Sequence, residues 1–374
     1  MKPRTSHGQK TLPREYFVSP EIFAQEGERI FRGRWLYAGH VSEIPEPGRF
    51  VLFDLLGESV VVTADAEGRP RAFHNVCRHR GSRLCLEESG SLGTRIVCPY
   101  HAWSYGLDGR LVGAPNMSDV PGFDKGAHGL IEAGCEVREG LIFVHFGTEP
   151  PPLGEWLPPR AADWRISRLR SVHRTVYEVE ANWKLFFHNY SECYHCPTVH
   201  PQLNRLTPYR ATDNDLDEGP VLGGPMFLTR GDGGSMTMSG GRCAAPIDGL
   251  TGEDRERVYY YTLFPNLFLS LHPDYVLVHR SQALGPTRTR ITCDWLFHPD
   301  SVEAPGFDPS DAVEFWDLTN RQDWDLCANA QRGIASSAYL PGPYAEIESQ
   351  LAAFDREYLA AMGGTAGPRL AAEG

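Results

Sequence analysis

Residues 77–101 read CRHRGSRLCLEESGSLGTRIVCPYH and contain three cysteines and two histidines. Four of these residues form two mixed pairs, Cys77-x-His79 and Cys98-x-x-His101, each inside a glycine-containing segment. Tetrahedral zinc usually binds pairs separated by at least two residues, because a single intervening residue makes it difficult for both side chains to reach one ion. The spacing suits a two-iron cluster, in which Cys77 and Cys98 hold one iron while His79 and His101 hold the other.

The predicted ligand set is that of a Rieske [2Fe–2S] cluster, in which two neutral imidazoles replace two thiolates and raise the reduction potential. A structural zinc site is the alternative interpretation of the same four residues. Cys85 lies between the two pairs without a histidine at matching spacing, so we interpret it as a buried thiol or a loop residue. The stretch therefore predicts an electron-transfer centre.

The sequence around these cysteines predicts a small all-β domain. From Gly48 to about Phe146, short runs of β-branched and aromatic residues are separated by Gly, Asp and Pro. Upstream, Ser19 is a predicted N-cap, and Pro20 is the first residue of a short helix within residues 19–36. The metal-binding stretch is thus expected to lie among strands, in their connecting loops.

The second half of the chain combines strands with two predicted helices. A proline-rich segment, residues 148–160, is typical of a linker and precedes this half. Helices are predicted near residues 182–196 and 309–333, and the strand-like runs cluster separately, which indicates an α+β domain with an antiparallel sheet. We therefore divide the chain into an N-terminal helical segment that packs on the second domain (1–44), a Rieske domain (45–150) and the second domain itself (151–374).

The composition is that of a globular protein without a membrane span. Of the 374 residues, 41% are hydrophobic and 22% charged, and no apolar run approaches the roughly 20 residues that cross a bilayer. The N-terminus lacks the apolar stretch of a secretory signal, so we expect a cytoplasmic protein whose nine cysteines are thiols or metal ligands before disulfides. The formal net charge is −12 and no Lys/Arg block is long enough to follow a phosphate backbone, which argues against nucleic acid as a partner.

A second group of metal-binding side chains lies in residues 181–201, ANWKLFFHNYSECYHCPTVHP. Asn182 is a predicted N-cap, and His195 and His200 are separated by about 140° around a straight helix. They face one ion only if the helix is interrupted, and we expect Pro197 to supply the interruption. Two imidazoles and one carboxylate on one face of Fe(II) form a facial triad, which leaves open positions for O2 and substrate.

The predicted helix near residues 309–333 offers candidates for the missing carboxylate. On a helical count, Asp323 falls on the mostly apolar stripe that should turn inward, where a buried carboxylate needs a partner. Asp325 instead neighbours Arg321 and Asn329 on a polar face. We therefore rank Asp323 above Asp325 as the third ligand.

Together the two groups resemble the α (oxygenase) subunits of Rieske non-haem iron oxygenases, the aromatic-ring-hydroxylating dioxygenase family. The resemblance rests on the two Cys/His pairs with their flanks Arg80-Gly81 and Trp103, and on NWK…HNYSECYHCPTVHP and QDWDLCANAQRG. It implies a mononuclear iron catalytic domain of helix-grip (START-like) fold in residues 151–374. It also implies a head-to-tail homotrimer, in which the cluster of one chain lies beside the iron of its neighbour.

Residue by residue, the resemblance implies that His195, His200 and Asp323 are the ligands of a mononuclear Fe(II). It assigns catalytic roles to Glu192 and Asn189. Glu192 matches the acidic residue that, in the family, bridges a Rieske histidine and an iron-ligand histidine across a subunit boundary.

Two positions are left open by the resemblance. Either His79 or His101 is expected to face Glu192 of the neighbouring subunit. His188 departs from the family, because many relatives carry an acid there. It either lines the iron pocket or, as we favour, packs in the interior.

The implied enzyme is an oxidoreductase, a Rieske mono- or dioxygenase of the EC 1.14 type. No glycine-rich dinucleotide motif follows a strand, so we expect an NAD(P)H-dependent flavin reductase as partner, acting directly or through a ferredoxin. Electrons would then pass through the [2Fe–2S] cluster and the Glu192 contacts to the ferrous site.

The substrate class is assigned by the same resemblance. Glu192, the chain length and the segments YYYTLFPNLFLSLHPDYVLVH and QDWDLCANAQRG look more like the subgroup that acts on choline, carnitine and betaine types than like dioxygenases of bare aromatic rings. We expect hydroxylation or N-demethylation of a small amine or quaternary ammonium substrate, with aromatic ring hydroxylation or dihydroxylation as the alternative. Candidates for holding a methylammonium group by cation–π attraction are Tyr259, Tyr261, Phe264, Trp316 and Trp324.

Two hypotheses come from other classes of protein. One is a Rieske electron-transfer or iron-sensing protein without oxygenase activity, and the other is a zinc-stabilised binding module. The three predicted ligands His195, His200 and Asp323 argue against the first, and the Cys-x-His spacing argues against the second.

Overall fold

The computed structural model describes residues 9–154 and 156–363. These residues divide into two compact units, the smaller unit of residues 32–154 and the larger unit of residues 9–31 and 156–363. Within the described ranges, no helix is both long and apolar enough to cross a lipid bilayer.

The smaller unit is all-β, which confirms the prediction, because its short apolar runs pair as antiparallel strands. Its strands are β1 (Leu36–His40), β2 (Arg49–Leu55), β3 (Glu58–Ala64), β4 (Pro70–His74), β5 (Ser89–Ser91), β6 (Arg95–Val97), β7 (Ser104–Gly106), β8 (Leu111–Gly113), β9 (Gly134–Arg138) and β10 (Leu141–His145). They form sheets in the orders β1-β10-β9, β4-β3-β2-β5 and β6-β7-β8. The valine run of β3 is fully buried, and it places this strand at the centre of the unit.

The unit boundaries in the structure differ from the predicted domain boundaries at residues 44 and 150. Strand β1 pairs antiparallel with β10, so that Leu36 lies opposite Val144. Just upstream, the indole N–H of Trp35 donates a hydrogen bond of 2.8 Å to the carbonyl of Pro151. Because these contacts are made within the smaller unit, it extends from residue 32 to residue 154.

The larger unit has the predicted α+β composition. Its strands are β11 (Arg170–Val179), β12 (Val221–Phe227), β13 (Arg257–Leu263), β14 (Leu267–Leu271), β15 (Val276–Gly285) and β16 (Arg288–Phe297). They form one antiparallel sheet in the order β11-β16-β15-β14-β13-β12. The sequence does not predict β12, because Gly223, Gly224 and Pro225 interrupt the β-branched pattern.

The α-helices of the described residues all belong to the larger unit. They are α1 (Glu15–Val18), α2 (Pro20–Glu26), α3 (Trp183–Tyr190), α4 (Cys196–Val199), α5 (Pro201–Leu206), α6 (Pro299–Glu303), α7 (Ser310–Ile334) and α8 (Ser349–Ala361). The Ser19 side chain caps α2 by accepting a hydrogen bond from the N–H of Ile22, and a π-helical turn, Gly27–Phe31, follows α2. Helix α7 confirms the long helix predicted near residues 309–333.

Helix α3 begins where the sequence predicts and ends earlier. The Asn182 side chain accepts a hydrogen bond from the N–H of Lys184 at 3.0 Å, which caps the helix. The helix stops at Tyr190, where the Glu192 carboxylate accepts the N–H groups of the following turn in place of helical carbonyls. The prediction that Pro197 interrupts the helix is therefore wrong, because Pro197 lies in the first turn of α4.

A buried ion pair holds α2 against α3 and α8. Lys184 Nζ lies 2.5 Å from Glu26 Oε1, and both side chains are at most 1% exposed. Glu26 also accepts hydrogen bonds from Trp183 Nε1 at 2.8 Å and from the Tyr358 hydroxyl at 2.6 Å. Because a buried carboxylate is costly without such partners, these contacts fix α2, α3 and α8 relative to one another.

Candidate functional site

In the smaller unit, two loops of similar geometry carry the four predicted cluster ligands. One loop follows β4, and in it the N–H of Gly81 donates a hydrogen bond of 3.0 Å to the carbonyl of Cys77. The other connects β6 to β7, and in it the N–H of Ala102 donates a hydrogen bond of 3.1 Å to the carbonyl of Cys98. Gly81 has a φ of 74°, which glycine adopts without strain and which lets the chain turn back after His79.

The side chains of these loops converge. The rings of His79 and His101 have centroids 4.6 Å apart, and the indole of Trp103 stacks on His79 at 4.8 Å. Cys77 and Cys98 are each only 2% exposed. His79 Nδ1 is buried and has no hydrogen-bond partner among the described residues, which is costly unless the nitrogen binds a metal. Two buried thiols and two facing imidazoles fit a Rieske cluster.

Tyr105 and Cys85 distinguish the ligand thiols from an ordinary thiol. The Tyr105 hydroxyl lies 3.3 Å from Cys77 Sγ and accepts a hydrogen bond of 3.0 Å from the N–H of Arg78, so its own proton is available to the sulfur. Burial raises the pKa of the Cys85 thiol to about 11. The N–H of Cys85 donates a hydrogen bond of 2.9 Å to Asn75 Oδ1. Cys85 is the buried thiol that the sequence predicts.

In the larger unit, His195, His200 and Asp323 come together. One ligand atom from each lies within 4.8 Å of the others. His200 Nε2 is 2.7 Å from Asp323 Oδ1, and His195 Nε2 is 3.3 Å from the same oxygen. His195 and His200 flank the short helix α4, whereas Asp323 lies on α7, so the site joins two segments that are distant in sequence.

The outer nitrogens of both histidines are anchored. His195 Nδ1 lies 2.5 Å from Glu192 Oε1, and His200 Nδ1 lies 2.7 Å from Gln322 Oε1. Because both partners are oxygen acceptors, each Nδ1 carries a proton, and each Nε2, which lies against Asp323 Oδ1, is the nitrogen that would bind a metal after losing its own proton. Sequence reasoning missed Gln322, since an amide beside a ligand on a helix carries no pattern that marks it.

Asp323 is held by Asn189, and the pKa values of Asp323 and His195 are shifted by their contacts. Asn189 Nδ2 donates a hydrogen bond of 3.0 Å to Asp323 Oδ1. Burial opposes ionisation of Asp323, but hydrogen bonds from His195 and His200 outweigh burial and lower its pKa below the usual value. Burial likewise opposes the charge on His195, but Asp323 and Glu192 raise its pKa to about 10. An environment that holds a proton this firmly favours a bound cation, and the donor set is that of a facial triad.

Asp325 and His188 lie away from the point where His195, His200 and Asp323 meet. Asp325 is exposed on the outer face of α7, in agreement with its lower rank as a ligand. His188 Nε2 bonds Asp355 Oδ1 at 2.8 Å and its ring packs edge-on against Phe354 at 5.3 Å. Among the described residues, His188 is not part of the cavity wall, so the structure places it in the packing role that we favour.

A cavity of about 540 Å³ opens beside His195, His200 and Asp323, within the size range of small-molecule sites. Three aromatic rings form a continuous part of its wall: the centroids of Tyr190 and Tyr260 are 6.0 Å apart, as are those of Tyr260 and Trp316.

Of the five predicted aromatic candidates, only Trp316 lines the cavity among the described residues. Tyr259 and Tyr261 are wrong choices, because alternate residues of β13 point to opposite faces and Tyr260 with Thr262 faces the cavity. The Tyr259 hydroxyl instead donates to Asp254 at 2.6 Å. Phe264 and Trp324 are buried in the interior.

A disulfide joins Cys193 to Cys196, on either side of His195. The expectation of thiols before disulfides is wrong for this pair, because the C-x-x-C spacing in the turn before α4 brings the two Cα atoms to 5.0 Å. The free cysteines of the described chain are Cys77, Cys85, Cys98, Cys135, Cys243, Cys293 and Cys327.

Comparison with known proteins covers both units. The family of ring hydroxylating alpha subunits (catalytic domain) matches residues 166–364, and the Rieske [2Fe-2S] domain family matches residues 34–124. The glycine betaine monooxygenase oxygenase subunit of Chromohalobacter salexigens is 34% identical over 91% of this chain and 83% of its own length. The chloroplastic choline monooxygenase of Spinacia oleracea is 28% identical over 89% of this chain and 74% of its own length. A solved quaternary ammonium Rieske monooxygenase, 24% identical, shares the fold, with a TM-score of 0.82 and 96% of both chains covered.

Proposed function

The chain belongs to the family of Rieske-type ring-hydroxylating oxygenase α subunits, and from this premise we propose that it oxidises a small ammonium substrate with O2 and reductase-supplied electrons. In the balanced reaction, a C–H bond, O2, two electrons and two protons give C–OH and water. Where the hydroxylated carbon is an N-methyl group, loss of formaldehyde leaves the demethylated amine and a proton. The observation that carries the proposal is the convergence of His195, His200 and Asp323 beside a cavity.

The ligand assignment uses the donor atoms that the structure brings together. The unpartnered His79 Nδ1 and the buried thiols support cluster binding, and the two Nε2 atoms that face Asp323 support a mononuclear iron. When bound, the cluster supplies single electrons and the mononuclear Fe(II) supplies open coordination positions for O2 and substrate. The proposed ligands are Cys77, His79, Cys98 and His101 for the cluster, and His195, His200 and Asp323 for the iron.

The neighbouring polar side chains position these ligands. Glu192 and Gln322 hold the outer nitrogens of the two histidines, so that each ring presents its inner nitrogen to the same point. Asn189 holds the Asp323 carboxylate. In addition, Glu192 is the residue through which we expect electrons to arrive from the cluster of a neighbouring subunit.

The surface around the cluster loops supports association with a second copy of the chain. Val76, Val97 and Tyr100 are all more than 40% exposed and each adjoins a proposed cluster ligand in sequence, and Leu86, which follows Cys85, is 71% exposed. Exposed apolar side chains grouped in this way are typical of an interaction surface. In the larger unit, Tyr194 lies near Glu192 in sequence and is 58% exposed. It is therefore accessible to a cluster loop of a neighbouring subunit. We expect a homotrimer in which such surfaces meet.

The electron donor and location follow from the chemistry. A flavin-containing, NAD(P)H-dependent reductase, acting directly or through a ferredoxin, would reduce the cluster one electron at a time. We further propose that the enzyme works in the cytoplasm, where such a reductase has NAD(P)H available.

The wall of the cavity favours an ammonium substrate over a bare arene. A methylammonium group is attracted to the faces of Tyr and Trp rings, and Tyr190, Tyr260 and Trp316 supply such faces. The relatives that cover most of the chain are named for glycine betaine and choline, both quaternary ammonium compounds. A bare arene would displace water from the carboxylates of this wall, and it carries no positive charge or hydrogen-bond donor that could offset the cost of their desolvation.

Product analysis with a surrogate reductase tests the proposal. The holoenzyme is incubated with NADH, reductase, O2 and a panel of trimethylammonium compounds and arenes of similar size, and products are identified by mass spectrometry. We expect an oxidised or demethylated product from at least one ammonium compound, and loss of that product in Asp323→Ala but not in the control Asp325→Asn. Oxidation of arenes alone would contradict the ammonium assignment, and absence of any product from an enzyme with both iron centres filled would contradict oxygenase activity.

A further inference from the structure

One segment of the cavity wall is acidic and ordered. Asp213, Asp215 and Asp217 lie between α5 and β12, and all three line the cavity. The segment is held along β12, because the N–H of Asp213 bonds the carbonyl of Pro225 and the N–H of Asp215 bonds the carbonyl of Gly223, both at 3.1 Å. A side chain at position 224 would collide with the Asp213 carbonyl, so the glycine there permits this close approach. The backbone that carries these carboxylates is therefore held against β12, and the side chains of Asp213 and Asp215 are exposed to solvent.

Apart from the two histidines of the candidate iron site, the ionisable side chains in the described cavity lining are tyrosines and six carboxylic acids. Among the described lining residues there is no lysine and no arginine. Arg160 approaches Asp215 only to 3.9 Å, while it pairs with Asp254 at 2.9 Å and stacks on Tyr259 at 4.7 Å. The acidic lining residues are Glu192, Asp213, Asp215, Asp217, Asp323 and Glu346.

This pattern separates two kinds of quaternary ammonium compound. Both kinds present a trimethylammonium group that the rings of Tyr190, Tyr260 and Trp316 attract. A zwitterionic betaine also carries a carboxylate, which would lie among the acidic side chains of the wall with no lysine or arginine of the described lining to pair with. A compound that ends in a hydroxyl group avoids this repulsion and can donate a hydrogen bond to a carboxylate of the wall.

We propose that this cavity selects ammonium compounds that carry a net positive charge, such as amino alcohols, over carboxylate-bearing betaines, and that Asp213 and Asp217 are specificity-determining residues. The inference rests on the proposed function and narrows its substrate class. It predicts weak binding of glycine betaine, the compound for which one relative is named, and this expectation can be tested.

Choline and glycine betaine form a matched pair of probes, because they differ only in a CH2OH group against a carboxylate. Binding of each to the holoenzyme is measured by calorimetry, which is independent of turnover. Choline should bind at least about tenfold more tightly, and its advantage should shrink as salt is raised from low to physiological ionic strength. Tighter or equal binding of glycine betaine would overturn the inference, as would binding of neither probe at millimolar concentration.

The variant Asp213→Asn/Asp217→Asn removes two charges while keeping the size of both side chains. We expect it to reduce the preference for choline to within about threefold, mainly by weakening choline binding. Glu218→Gln is the matched control, because Glu218 is an exposed neighbour outside the described cavity lining, and it should keep the preference of the parent protein. An unchanged preference in the double variant would remove the role assigned to Asp213 and Asp217.

Different experimental results would contradict the oxygenase function and the charge selection. Product formation from glycine betaine in preference to choline would overturn the charge selection and leave the oxygenase function intact. Selective choline binding without any O2-dependent product would support the selection and count against the oxygenase function.

Discussion

Replacement of Gln322 by leucine is expected to weaken iron binding without unfolding the protein. Gln322 Oε1 accepts the Nδ1 proton of His200 at 2.7 Å, and His200 is only 2% exposed. Leucine fits beside Phe315 and Leu318, which line the same small surface depression as Gln322. The substitution therefore removes the acceptor and leaves a buried ring N–H without a partner.

The size of the effect follows from that lost hydrogen bond. In the iron-bound protein the ring is held by its metal-binding nitrogen and cannot rotate toward another acceptor, so the unsatisfied donor costs about 1–3 kcal/mol relative to a relaxed apo protein, which corresponds to about a 5- to 150-fold loss of affinity for iron. The range agrees with the about 10- to 100-fold losses typical of groups that orient metal ligands. Part of the loss arises because His200 can then rotate or change tautomer, so that Nε2 no longer faces Asp323.

Iron retention during titration with a ferrous chelator measures the affinity directly. Gln322→Glu should retain iron at least as well as the parent, because it keeps an oxygen acceptor and adds negative charge. Asp325→Asn, on the exposed face of the same helix, should behave like the parent. A change of less than about twofold in Gln322→Leu would refute the reasoning that the outer nitrogen of His200 must be anchored.

Further predictions concern electron delivery, the buried ion pair and pH. Glu192→Gln keeps an acceptor for His195 but removes its charge, so we expect iron to be retained while reductase-driven product formation falls at least about tenfold; an unchanged rate would contradict the relay role. Lys184→Met should lower the free energy of unfolding by about 3–5 kcal/mol in denaturant titrations, with partial recovery when Glu26→Gln is added; no recovery would show that the loss is not due to the stranded Glu26 charge. Burial raises the pKa of Asp274 from 3.8 to about 6, so its contribution to stability is present below the unfolded pKa and is lost as pH rises through 6. The stability of Asp274→Asn relative to the parent should therefore increase by up to about 3 kcal/mol between pH 4 and pH 7, and a decrease would contradict the raised pKa.

The side chains that we propose as metal ligands could be selected from the sequence because ligand spacing is a local property. The Cys-x-His and Cys-x-x-His pairs each lie within one loop, so their geometry depends on a few residues. Asp323 could be ranked above Asp325 because a helix of 25 residues has a clear inward face. For Asp323 the helical period shows which side chains turn inward, whereas for the Cys/His pairs the short spacing within one loop limits their geometry.

The features that escaped prediction depend on contacts between distant segments. Gln322 meets His200 only because α7 packs against the turn between α4 and α5, and that packing has no sequence pattern. The choice of Tyr259 over Tyr260 failed because both faces of β13 are apolar and aromatic, so alternation does not show which face meets the cavity. Likewise, the pairing of β1 with β10 joins residues about a hundred positions apart, so the unit boundary near residue 31 has no local signal.

Single-turnover chemistry at the His195, His200 and Asp323 site tests the central claim most directly. Holoenzyme with both iron centres filled is reduced chemically without a reductase, mixed with choline, and exposed once to O2. Oxidised substrate should form in an amount that approaches the mononuclear iron content, and Asp323→Ala should form none while keeping the absorption of its Rieske cluster. Undiminished product in Asp323→Ala, or no product from the fully loaded and reduced parent enzyme with any trimethylammonium compound, would contradict the claim.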